Sequence, residues 1–280
     1  MKIILHGGFF SESSTNAETK IAKQHALTEI VMKSYNYLQT HTALETVIYA
    51  VERLENDELF NAGYGSQVQS DGKIRMSASV MDGVSKKFSG VMNIEDVQNP
   101  VRVAEKLLHV EDRVLGGSGA LKFAREKGIP FFNPETEQRR TEYEEKKGTF
   151  GLGTVGCVAM DKDGNIAAST STGGKGFEMP GRISDSATIA GNFANADCGV
   201  SCTGVGEDIV SAGIAVKIAT RVTDGFQLEQ AFEKTFAELK EFEGFAGAIA
   251  IDKAGNIWHK DSHLMMVFAC YDGETVKVFN

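Results

Sequence analysis

Between residues 42 and 55 the apolar side chains Leu44, Val47, Ile48, Val51 and Leu54 fall three and four positions apart, the spacing of one helical face. Thr42 followed by Glu45 supplies a capping box at the start of that face. A longer helical stretch over 17–38 precedes it, and an opening strand over 2–6 runs into Gly7-Gly8. Residues 76–81 read as a strand, and 100–110 and 118–127 as helices. Two hairpins then share one design. A buried-strand pattern over 154–160 and a second strand over 166–172 flank a turn at Asp163-Gly164, and segments over 248–252 and 257–259 flank Ala254-Gly255-Asn256. Helices are predicted over 207–222 and 228–242, with a closing hairpin over 266–279. Hairpins and helix pairs without steady strand–helix alternation predict a layered α+β architecture rather than a doubly wound parallel sheet.

The texture breaks once, at Pro134-Glu-Thr-Glu-Gln-Arg-Arg-Thr-Glu-Tyr-Glu-Glu-Lys-Lys-Gly148, which holds no aliphatic side chain and one aromatic. Such a stretch buries too little apolar surface to offset its ordering entropy, so a mobile linker is predicted over about 134–153. A buried-strand pattern starts directly after it, at Thr154.

Composition narrows the function classes. The 280 residues are 42% hydrophobic and 24% charged, as in a folded globular protein. A net charge of −9 opposes general binding to nucleic acid or to an anionic membrane, since both need a basic face. No apolar run approaches the ~20 residues that span a bilayer, and the N-terminal segment is too short for a signal peptide. The four cysteines, Cys157, Cys198, Cys202 and Cys270, show no CxxC spacing, so buried thiols in the cytoplasm are expected.

Several familiar patterns fail on inspection. His6-Gly7-Gly8 looks like a lipase oxyanion loop, but the matching nucleophile elbow is missing, since Gly116-Gly117-Ser118-Gly119-Ala120 breaks at its last position. Gly173-Gly174-Lys175 lacks the leading glycine and the hydroxyl of a phosphate loop. His259 and His263 have the spacing of helical metal ligands, but their segment does not read as a helix and lacks the expected glutamate.

The chemistry concentrates in 153–207. Gly153-Thr154-Val155-Gly156, Thr170-Ser171-Thr172-Gly173-Gly174, Gly181-Arg182-Ile183-Ser184-Asp185-Ser186 and Thr203-Gly204-Val205-Gly206-Glu207 place hydroxyls, an arginine, an aspartate and open backbone amides at element ends. A threonine hydroxyl is a weak nucleophile that needs a base. Cutting the chain before Thr154 would release an α-amine with a pKa of about 7.7–8.0, which supplies that base on the same residue.

At these residues the sequence resembles the plant-type asparaginase and isoaspartyl peptidase family of N-terminal-nucleophile hydrolases. The likeness covers nearly the whole chain, from HGG through LFNAGYG, VMDG and GGSGALKFAREKG to GTVG, TSTGG, PGRISDS and CTGVGE. The resemblance implies a single domain with a four-layer αββα sandwich. It also implies autocleavage between Gly153 and Thr154 into an α subunit, 1–153, and a β subunit, 154–280, and assembly as a dimer of such pairs. By the same resemblance Thr154 is the nucleophile, Thr172 tunes its hydroxyl, and Asn61 sits beside it. Thr203 and Gly204 form the oxyanion hole, Arg182 holds the substrate α-carboxylate, and Asp185 with the Gly206 carbonyl holds the α-ammonium. The implied substrates are L-asparagine and β-aspartyl dipeptides. No cofactor is required, and a structural sodium ion is implied on the backbone carbonyls of Leu54, Glu55, Asp57, Phe60, Ala62 and Tyr64.

The chain departs from the family pattern at Phe9-Phe10, Ser77, Gly176-Phe177-Glu178 and around Lys260-Asp261-Ser262-His263, which bears on substrate preference. Other readings compete. One is an uncleaved relative that only binds, and another is a glycosylasparaginase-like hydrolase, whose junction is typically Asp-Thr rather than Gly-Thr. An aspartyl endopeptidase is disfavoured by Arg182 and Asp185, which suit a free amino-acid backbone.

Overall fold

The computed structural model describes residues 1–10, 17–145, 153–263 and 266–280. In chain order the elements are β1 (Lys2–Phe9), α1 (Ala17–Leu38), α2 (Ala43–Glu55), β2 (Met76–Asp82), β3 (Lys87–Ile94), α3 (Pro100–Leu107), β4 (Val114–Gly116), α4 (Gly117–Glu126) and α5 (Glu137–Glu144). After the second undescribed stretch come β5 (Thr154–Met160), β6 (Ile166–Thr172), a short 3-10 turn (Asp185–Ala187), β7 (Asn192–Ala194) and β8 (Cys198–Gly204). The chain ends with α6 (Gly206–Ala212), α7 (Ile214–Thr223), α8 (Leu228–Lys240), β9 (Ala246–Asp252), β10 (Ile257–Asp261), β11 (Met266–Tyr271) and β12 (Val276–Val278). This is the α+β class that the hairpin pattern predicts.

The strands form two sheets, ordered β12-β11-β1-β5-β6-β2-β3-β4 and β10-β9-β8-β7. Side chains alternate across β5, which lies inside the larger sheet. Val155, Cys157 and Ala159 point to a cluster with Leu27, Val47, Val51, Leu54 and Val101 from α1, α2 and α3. Val158 joins Ile4, Ile166 and Ala168 against Ile249 and Ile251 of the smaller sheet. The far face of that smaller sheet, with Val200, Cys202 and Ala248, packs against Ile209, Ile218, Phe232 and Phe236 of α6, α7 and α8. Each such fully buried aliphatic side chain contributes about 1.5–3 kcal/mol. Strands buried on both faces explain the nearly continuous apolar run at 154–160.

Local signals account for most element ends. The Thr42 hydroxyl accepts from the Glu45 amide at 3.2 Å, and the Glu45 carboxylate accepts from the Thr42 amide at 2.9 Å, completing the capping box. The Asp161 carboxylate accepts from the amides of Asp163 and Asn165, both at 3.0 Å, which closes the β5–β6 turn. The resulting register pairs Thr154 with Thr172. No helix among the described residues is long and apolar enough to cross a membrane, and the four cysteines are free and buried.

Three expectations need correction. Part of the predicted linker is helix α5. The Thr136 hydroxyl caps it by accepting from the Arg139 amide at 3.2 Å, Arg139 Nε donates to the Gly65 carbonyl at 2.8 Å, and Tyr143 stacks on Phe177. One aromatic and one anchored arginine tie down a helix that has no aliphatic face. The remainder of the linker prediction, over 146–152, lies outside the described residues. The single helix predicted over 207–222 is two, broken at Gly213, whose φ of 61° lies in the left-handed region that glycine adopts without strain. Strands β3, β4, β7 and β8 are not read from the sequence; β3 and β4 extend the larger sheet, and β8 carries Thr203.

Candidate active site

The register of the β5–β6 hairpin sets the centre of the site, because it places the two threonines at its open end side by side. The Thr154 hydroxyl donates to the Thr172 hydroxyl at 3.2 Å. Thr172 Oγ1 accepts in turn from the Gly174 amide at 3.2 Å and donates to the Gly153 carbonyl at 3.3 Å. Asn61 Nδ2 donates to the same carbonyl at 2.9 Å and to the Gly174 carbonyl at 2.5 Å. Asn61 Oδ1 accepts from the Gln67 amide at 2.9 Å, which fixes the orientation of the carboxamide. A Cβ on Gly153 would stand 2.7 Å from that of Asn61, so glycine is required for the asparagine to approach. The bond between Gly153 and Thr154 therefore has hydroxyl, carbonyl and two donors gathered about it.

A cavity of about 160 Å³ opens on this centre, lined by Thr154, Thr172, Arg182, Asp185, Gly204 and Gly206 together with Lys175 and Glu207. Its size suits the amino-acid-sized part of a ligand. Arg182 reaches across to Glu207 in a two-point fork, Nε at 2.9 Å and Nη2 at 2.7 Å. That pairing, led by the hydrogen bond to Arg182, holds the Glu207 carboxyl down at about 2. Asp185 is buried, and one of its oxygens has no partner. Burial pushes its carboxyl up to about 7, against the opposing pull of Arg182. A ligand ammonium would relieve both the missing bond and the desolvated charge. Thr203 is fully buried at the end of β8, and its hydroxyl also lacks a partner. It precedes Gly204, whose φ of 136° is open to glycine and strained for other residues.

Six of the eight residues singled out in the sequence thus line one cleft, Asn61 joins it through Gly153, and Thr203 adjoins it behind Gly204. Lys175 and Glu207 were not assigned to the site from the sequence. Lys175 stood in a glycine loop set aside as a failed phosphate motif, and Glu207 closed the last quoted motif. What neither pattern carried was the chain path that folds 175 and 207 over Arg182. His259 and His263 fall on and just after strand β10, and the described residues hold no cluster of metal-ligating side chains there or elsewhere. In the loop after α2, the carbonyls of Leu54, Asp57 and Glu55 each accept a backbone amide, from Asp57, Phe60 and Tyr64. Neutral carbonyl oxygens are the kind of donor a hard cation takes, and a carbonyl with one hydrogen bond keeps a second lone pair.

The family model described as asparaginase matches residues 1–279. The chain belongs to the asparaginase family. An isoaspartyl peptidase/L-asparaginase from Synechocystis is 42% identical, with 95% of this chain and 86% of that protein covered. A plant-type L-asparaginase from Pyrococcus furiosus is 36% identical, covering 91% of each. An isoaspartyl peptidase from Escherichia coli is likewise 36% identical, over 91% of this chain and 88% of its own. The asparaginase family match, over residues 1–279, spans both sheets and the cleft.

Proposed function

We propose that this chain is a self-processing N-terminal-threonine amidohydrolase that hydrolyses the side-chain amide of L-asparagine and β-aspartyl dipeptides. The observation that carries the reading is the Thr154 hydroxyl at the mouth of an amino-acid-sized cleft, hydrogen-bonded to Thr172 beside a doubly held Gly153 carbonyl. The names of its relatives give the substrates. The packed layers of helices, sheets and helices are read as the four-layer αββα sandwich of N-terminal-nucleophile hydrolases.

Processing comes first. Thr154 Oγ attacks the carbonyl carbon of Gly153 while Asn61 and Thr172 stabilise the developing oxyanion. The C–N bond breaks, the acyl group moves to oxygen, and the nitrogen takes up the proton lost by Oγ to become a free α-amine. Water then hydrolyses the ester, leaving 1–153 with a new carboxylate and 154–280 with Thr154 at its start. In the mature enzyme this amine takes the Oγ proton as Thr154 attacks the substrate side-chain carbonyl. Arg182 holds the α-carboxylate, for which a planar two-point donor fits best. Asp185 and the Gly206 carbonyl hold the α-ammonium. The unpartnered Thr203 hydroxyl and the Gly204 amide receive the tetrahedral oxyanion. Ammonia or an amino acid departs with the proton, and water releases aspartate from the acyl-enzyme.

The subunits are proposed to assemble as (αβ)2, and the carbonyls of Leu54, Glu55, Asp57, Phe60, Ala62 and Tyr64 to hold a structural sodium ion. The four unpaired cysteines support a reducing compartment, the cytoplasm. The test is direct. Incubated protein should give two bands on a denaturing gel, the smaller beginning Thr-Val-Gly, and release ammonia from asparagine. Thr154→Ala should stay one inactive chain. An intact wild-type chain that still hydrolyses asparagine would sink the mechanism, and an intact inert one would favour the binding-protein reading.

A further inference from the structure

His6 opens the HGG segment, which lies within strand β1. Its ring is fully buried between the two sheets. Strand β1 pairs with β5 from Lys2↔Met160 to His6↔Gly156, while its other edge pairs with β11 from Ile3 to Phe9, with a register shift between His6 and Phe9. Thr154, two residues before Gly156, is therefore left without a partner residue on β1. The His6 ring fills the gap, with Nδ1 2.9 Å from the Thr154 carbonyl.

Hydrogen-bond roles along this contact are forced. A carbonyl only accepts, so Nδ1 carries the proton. Burial drives the imidazole down to about 3, so the ring is neutral and Nε2 is an acceptor. Nε2 lies 2.9 Å from Ser201 Oγ on β8, so Ser201 donates to it. Ser201 Oγ lies 2.6 Å from Thr170 Oγ1 on β6, so Thr170 turns its one proton to Ser201 rather than to the more distant Gly191 carbonyl at 3.4 Å. The relay joins both sheets and ends on the backbone of the residue whose hydroxyl faces the cleft. Gly156 leaves the room for it, since a Cβ there would stand 2.0 Å from Ser201 Oγ and 2.4 Å from His6 Nε2.

We propose that His6 is a positioning residue for the hydrolysis, its Nδ1–H held as donor by Ser201 and Thr170 so that it anchors the Thr154 carbonyl where strand pairing stops. The proposal rests on the reading of Thr154 as nucleophile. Once cut, residue 154 is a chain end with nothing before it, and its remaining anchors decide where the hydroxyl and amine sit relative to the substrate. Small misplacement of a reacting group is costly, on the order of 100-fold per ångström in unfavourable cases. Ser201 acts one step away, by selecting the tautomer.

Two measurements test this. In protein labelled with 15N-histidine, the His6 ring should show the Nδ1–H tautomer at pH 7, the minor form in free histidine, and Ser201→Ala should shift it toward Nε2–H. A wild-type ring in the Nε2–H form, or one indifferent to Ser201→Ala, overturns the relay. In steady-state assays of the processed enzymes with L-asparagine, normalised to free Thr154 termini, His6→Leu should lower kcat by about 10- to 100-fold with KM within threefold. His6→Asn, which can still donate near the Nδ1 position, should recover most of that loss. Equal losses in the two variants, or an effect confined to KM, overturn the positioning role. Should His6→Leu not fold, the tautomer measurement and Ser201→Ala decide alone. Should the wild type hydrolyse no amide substrate, the functional reading fails while the tautomer still reports on the relay.

Discussion

Asp185 is expected to cost this protein stability in return for binding an ammonium group, and Asp185→Asn should expose that cost. The carboxyl is buried, one oxygen has no partner, and its pKa stands at about 7 against an ordinary 3.8. A raised acid pKa means that the folded state binds more protons than the unfolded state between these two values. Stability contributed by this group is therefore lost as pH rises from about 4 to about 7, and the loss then levels off. At about 1.36 kcal/mol per unit, the full penalty approaches about 4 kcal/mol above pH 7. Between pH 5 and pH 8 the increment is about 2–3 kcal/mol. For a domain of this size that corresponds to roughly 4–8 °C in Tm. The comparison belongs in the Thr154→Ala background, so that both proteins remain single chains. The double variant should melt higher than Thr154→Ala alone, and the gap should widen by several degrees from pH 5 to pH 8. In the processed enzyme, Asp185→Asn should lower kcat/KM for asparagine by at least about 30-fold, because a buried charge pair loses one member. A melting gap that does not change with pH would refute the argument, since only an ionisation confined to the folded interior makes it grow.

Asn61→Ala removes one of two donors to the Gly153 carbonyl and should slow self-cleavage by about 100- to 1,000-fold, read as band intensity over time. Gly206→Ala would bring a Cβ within 2.8 Å of Ser184 Cβ, 2.9 Å of Arg182 Nη2 and 3.0 Å of Asp185 Oδ1, so KM for asparagine should rise about tenfold or more, with a lowered melting temperature. Gly156→Ala collides with Ser201 and His6 in the layer between the sheets and should cost at least about 1–3 kcal/mol, measured by urea unfolding in the Thr154→Ala background. A neutral Gly156→Ala would mean that the His6 ring and Ser201 are free to move apart.

Much of this protein is legible in the chain because the governing interactions are local or periodic. The α2 face and its Thr42–Glu45 cap need only neighbours three or four residues away. The β5–β6 hairpin needs only two strand-forming segments and the Asp161-to-Asn165 turn, and its register alone sets Thr154 against Thr172. The stretch that holds most of the cleft stood out because hydroxyls, arginine, aspartate and glycines recur at element ends between 153 and 207, while the role of each residue, and Asn61 altogether, came from the family resemblance. Helix α5 was lost because its anchors, Gly65 and Phe177, lie far away in sequence. The fork from Arg182 to Glu207 spans 25 residues, and the His6 relay joins residues 6, 154, 170 and 201. Burial decides the rest. Neither the raised Asp185 carboxyl nor the single tautomer of His6 is a property of the residue itself, since each arises only when the two sheets close and water is excluded.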